Sequence, residues 1–154
     1  MMMLMFLAAA TQPAAGTLSA ADQAAAFKAA GFARAGGVWK SDCDQPGGPP
    51  YEPGSIEQVS DLNGDGRPEA IIIEGGTFCY GNTGTGFMLV SKQADGKWVK
   101  LHATQGIATI LPTRANGWPE IEVGGPGFCF PVLRWNGKEF ANHRLQYEGK
   151  PCRR

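Results

Sequence analysis

Excess charge of either sign, long apolar runs, histidine and paired cysteines are what this chain lacks. Its 14 lysines and arginines are matched by 14 acidic residues. That balance leaves no electrostatic footprint for nucleic acid or an anionic membrane, and neither partner is expected. No apolar stretch is long enough for a transmembrane helix. There is no C-x-x-C for zinc or thiol exchange. The two histidines, His102 and His143, stand far apart, and no serine sits in a G-x-S-x-G or S-x-x-K setting. Gly81-Asn82-Thr83-Gly84-Thr85-Gly86 holds no lysine and does not open a helix, which argues against a phosphate loop.

What is present is glycine (22) and proline (11). In a chain of 154 residues this means one domain of short strands and many turns. The pattern predicts strands at 56–60, 69–74, 87–92, 98–103, 107–111, 120–123, 132–135 and 138–142. Asp95-Gly96 and Asn136-Gly137 supply hairpin turns. Residues 45–54 read as a Pro/Gly-rich loop, and Gly81–Gly86 as a mobile turn. One helix is expected over 20–30, capped by Ser19 and ended by Gly31, with Phe32 folding back on Phe27. The fold class is mainly β: a small antiparallel domain over 21–154 with one short N-terminal helix. Trp39, Trp98, Trp118 and Trp135 read as sheet core.

Function is written most densely in Asp61-Leu62-Asn63-Gly64-Asp65-Gly66-Arg67-Pro68-Glu69. Oxygen donors recur at every second position: Asp61, Asn63, Asp65, the Arg67 carbonyl and Glu69. Gly66 permits the sharp turn between them, and such a set suits Ca²⁺, which takes six to eight oxygens. An EF-hand would need a bidentate Glu where this chain has Ile72, inside the apolar run Ala70-Ile71-Ile72-Ile73. The same residues also form a turn without any metal, since Asn-Gly and Asp-Gly are strong turn formers. A carboxylate just before a strand resembles the calcium loop of FG-GAP/VCBS repeats, the integrin-α-type propeller blade. That resemblance, about a dozen residues long, implies a calcium-bearing β unit, with Glu69 in place of the usual Asp.

A decayed second copy follows about fifty residues on. Pro68-Glu69 recurs as Pro119-Glu120, and Gly75–Tyr80 as Gly125–Phe130. Pro112, Arg114 and Asn116 take the places of the charged ligands, so one calcium site is expected. Two units cannot close a propeller, which takes about four blades, and a pseudo-symmetric domain of two sheet units is the alternative.

Met1–Ala10 followed by small residues reads as an export signal within 1–20, although no Lys or Arg precedes it. Periplasmic or secreted location suits Cys43, Cys79, Cys129 and Cys152 as structural disulfides. Three connectivities are open, and the repeat favours Cys79 with Cys129 and Cys43 with Cys152. The chain as a whole also resembles small exported proteins of proteobacteria that carry DLNGDGRPEA. The expected function is a calcium-binding structural or binding module for an envelope protein or glycan, with no membrane anchor. An envelope hydrolase or hydrolase inhibitor is the alternative. A cleft joining the histidines to Asp42, Asp44 or Glu74 would favour the hydrolase, and an aromatic patch at Trp118 and Phe128–Phe130 the binding module.

Overall fold

A computed structural model describes residues 17–154, so the expected export signal lies largely outside the described residues. Helix α1 (Ala20–Ala29) begins where Ser19 accepts the Asp22 N–H at 3.1 Å and stops before Gly31, whose φ of +98° disfavours a side chain. The Phe32 N–H then bonds back to the Phe27 carbonyl, and the two rings meet edge to face at 5.8 Å.

Among the described residues eleven strands follow in two antiparallel sheets. The first runs β1 (Ala33–Ala35), β2 (Val38–Lys40), β3 (Tyr51–Ser60), β4 (Glu69–Gly76), β5 (Thr85–Lys92) and β6 (Trp98–Gln105), each beside its sequence neighbour. The second contains β7 (Ile107–Ala115), β8 (Trp118–Gly124), β9 (Phe130–Trp135), β10 (Phe140–Tyr147) and β11 (Lys150–Pro151), again in chain order. Gly106 makes the corner between sheets. Its φ is +124°, and a Cβ there would stand 2.6 Å from the Gly124 carbonyl oxygen.

Period-two alternation sorts the core into layers. Ala70, Ile72, Met88 and Val90 face α1, where they pack with Ala26, Phe27, Phe32, Trp39 and Trp98. Ile71, Phe87 and Leu89 point the other way, against Ile121, Val123, Leu133 and Phe140 of the second sheet. Strand β4 is thus covered on both faces, which is why it reads as an unbroken apolar run. Helix α1 is pinned to its sheet by Asp22, which accepts from Lys92 Nζ at 2.8 Å and Trp98 Nε1 at 3.1 Å.

Three expectations are corrected. Strand β3 begins at Tyr51, inside the expected loop, because Tyr51 and Glu52 pair with Gly76 and Gly75. Gly81–Gly86 is more than a mobile turn, since Gly81–Thr83 forms a 3₁₀ turn and β5 starts at Thr85, and Thr77–Tyr80 just before it forms a second short helix, α2, where one helix was expected. Trp118 is 8% exposed and lies at the sheet interface as its reading as sheet core expects, and with Phe128 76% exposed the two form no surface patch. The disulfides are Cys43–Cys79 and Cys129–Cys152, with Cα separations of 5.5 and 5.8 Å. Strand neighbours decide the pairing. Cys43 follows β2, beside the β3 start that pairs with Gly76, and Cys152 follows β11, which lies along β10 opposite Phe130.

Candidate functional site

The loop between β3 and β4 is organised around one carboxylate. Asp61 Oδ1 accepts the N–H groups of Gly64 (2.9 Å) and Asp65 (3.2 Å), and Oδ2 accepts that of Gly66 (2.8 Å). Asn63 Oδ1 accepts the Asp65 N–H, and Asp65 Oδ1 the Arg67 N–H. Gly64 and Gly66 both have positive φ, +76° and +82°, so their lack of a Cβ is what lets the chain wrap so tightly. The Arg67 guanidinium bonds Asp65 Oδ2 at 2.8 Å and the Lys92 carbonyl at 3.2 Å.

Glu69 is placed differently from the other expected ligands. It is 1% exposed, at the start of β4, where Oε2 accepts the Leu62 N–H (2.6 Å) and Oε1 the Ser91 hydroxyl (2.8 Å). Burial pushes its carboxyl above the ordinary range, Ser91 and Leu62 partly offset this, and the Asp65 and Asp61 charges add to the rise. Among the described residues no three His, Cys, Asp or Glu side chains converge as a ready metal cage. The donor chemistry nonetheless fits a hard cation. Glu69 lies in the field of Asp61 and Asp65, with the Arg67 guanidinium as the counter-charge in the loop.

The residues standing for ligands in the second copy do other work. Arg114 donates to the carbonyls of Leu62 and Gly117, which ties the β7–β8 turn to the first loop. Asn116, at φ +55°, donates to the Trp135 carbonyl. Glu120, 1% exposed like Glu69, is held by two arginines, Arg134 and Arg144. No spacing signal marked these arginines, because they come from β9 and β10.

The hydrolytic candidates are dispersed. His102 lines a groove of about 330 Å³ with Thr104, Val123, Leu133 and Phe140, and burial lowers its pKa against the opposing pull of Glu139. His143 is exposed on β10. Asp44 pairs with Lys40 at 2.8 Å. Glu74 lies under two tyrosines instead: Tyr51 and Ser41 donate to Oε2 at 2.5 and 2.7 Å, and Tyr80 to Oε1 at 2.6 Å. Burial and the Glu74 carboxylate push both phenols above their usual range.

The chain matches no family model, no curated protein and no solved structure.

Proposed function

We propose that this chain is an exported calcium-binding β-domain that serves as a structural or binding module. The observation that carries this reading is the β3–β4 loop: three carboxylates and an amide oxygen within nine residues, on a backbone bent by two left-handed glycines. Asp61, Asn63, Asp65, the Arg67 carbonyl and Glu69 would hold the ion. A bound dication would add positive charge beside three carboxylates of which, among the described residues, Asp65 alone has a cationic partner, Arg67. Glu69 is the first residue of β4, so the loop's charge balance is coupled directly to the central strand. Two disulfides support an oxidising compartment, and no helix among the described residues is long and apolar enough to cross a membrane. The FG-GAP/VCBS resemblance of the loop agrees with this reading.

The test is thermal melting of the wild type and Asp65→Ala in calcium and in chelator. An extracellular site of this type binds with a Kd on the order of 10⁻⁴ to 10⁻³ M. Calcium at a hundredfold excess over Kd then adds about 2.7 kcal/mol of stability by mass action. Wild type should melt higher in calcium, Asp65→Ala should lose most of that shift, and Mg²⁺ should substitute poorly because it demands a tight octahedron. Identical wild-type melting in calcium and chelator would reduce the loop to a turn.

A further inference from the structure

Among the described residues strand β6 is the last strand of the first sheet, and its one sheet neighbour is β5. Edges of this kind present unpaired N–H and C=O groups, and proteins blunt them with lysines and bulges. The first half of β6 is blunted in this way. Lys97 precedes it, Lys100 lies within it, and the register with β5 slips at Leu101. The second half, His102–Gln105, has no charge, proline or bulge.

Register shows which groups are free there. The Gly106 N–H bonds the Thr85 carbonyl, and Phe87 faces Thr104 while Leu89 faces His102. Backbone direction alternates along a strand. Thr104 and His102 therefore bond toward β5, and the N–H and C=O of Ala103 and Gln105 point away from the sheet. Among the described residues neither Ala103 nor Gln105 has another main-chain partner.

These free groups border a groove. Ala103 lines it although its side chain belongs to the opposite face, the one it shares with Met88, so its backbone is what meets the cavity. The far wall is the inner face of the second sheet: Val123, Pro131, Leu133, Phe140 and Asn142. A second depression of about 210 Å³ shares Thr104, Val123 and Pro131 with the first and continues it past Gln105 to Arg154. Arg154 has no carboxylate partner among the described residues.

We propose that the His102–Gln105 edge docks an extended peptide segment of another protein as a seventh strand. Its main chain would pair with Ala103 and Gln105. Inward side chains would lie over the groove mouth at His102, Thr104, Pro131 and Asn142, because Val123, Leu133 and Phe140 behind them are buried in the core, and an acidic residue or terminal carboxylate would face Arg154. Strand addition of this kind draws affinity from the backbone and specificity from alternate side chains. A single strand suits the site better than a second copy, because the second sheet forms a shelf beside the edge that an approaching six-stranded sheet would meet. The inference rests on reading the domain as a binding module and not on calcium.

The experiment is amide hydrogen exchange by NMR on the intact protein, in calcium and in chelator. The probe is a pool of synthetic decapeptides, apolar at alternate positions and ending in glutamate with a free carboxyl, at millimolar concentration. Exchange at Ala103 and Gln105 should slow by at least about tenfold. The same pool N-methylated at every second residue, in either register, should have no effect, and Arg154→Gln should weaken the protection. Unchanged exchange at both amides, or equal protection by the N-methylated pool, overturns the proposal. Protection that appears without peptide and grows with protein concentration assigns the edge to a second copy and overturns it as well. A failed calcium shift in the melting experiment would leave this exchange result untouched.

Discussion

Glu120 shows how a single side chain is decided by its surroundings. Both it and Glu69 follow a proline, and both are 1% exposed. Glu69 has two neutral donors, whereas Glu120 receives Arg134 Nε at 2.9 Å and Arg144 Nη1 at 2.8 Å. Burial pushes the Glu120 carboxyl up, but the Thr113 hydroxyl, Arg144 and Arg134 outweigh it and hold the pKa at about 2. A depressed folded-state pKa means stability that is present above the unfolded value, near 4.3, and is lost as pH falls toward 2. The arginines are about a third exposed, so solvent screening trims the contribution to about 2 kcal/mol. Urea midpoints measured through the acid range should show this loss in the wild type and a flatter limb in Glu120→Gln. At neutral pH Glu120→Ala should cost about 3 kcal/mol, because it leaves two partly buried guanidiniums without their carboxylate. Equal acid limbs for wild type and Glu120→Gln would contradict this assignment.

At the scale of elements, the local signals were legible. Ser19 caps α1, Gly31 ends it, and Asn136 accepts the N–H groups of Lys138 and Glu139 in the β9–β10 turn. Helix α2 was not legible, because its four residues have no cap and no periodicity. It forms where it can lay Tyr80 over Glu74, and Gly86 makes room for the ring. A Cβ at Gly86 would lie 2.1 Å from Tyr80 Cε1. Gly86→Ala should therefore push Tyr80 off Glu74 and cost about 2 to 3 kcal/mol, combining overpacking with an unsatisfied carboxylate oxygen. Denaturant midpoints of Gly86→Ala, Tyr80→Phe and the double variant test the coupling. If the two losses simply add, the glycine is not there for the tyrosine.

For the whole molecule, each disulfide closes a loop beside one sheet, with sequence separations of 36 and 23. Chain-entropy reasoning gives each a stabilisation of about 3 to 4 kcal/mol. Replacing Cys43 and Cys79 together with serine should lower the melting temperature by several degrees, and non-reducing peptide mapping should recover Cys43–Cys79 and Cys129–Cys152. A Cys79–Cys129 peptide would contradict the strand order described above. By itself the sequence determined the β class, α1, most strand positions and the oxygen-rich loop, because capping, turn chemistry and period-two alternation act over a few residues. Only the tertiary structure decided which cysteines pair, that Phe128 is exposed, that Glu69 turns to Leu62 and Ser91, and that Arg134 and Arg144 meet Glu120. Those outcomes depend on which strands are neighbours and in what register they lie. Sheet packing sets both across tens of residues, beyond the reach of any local pattern.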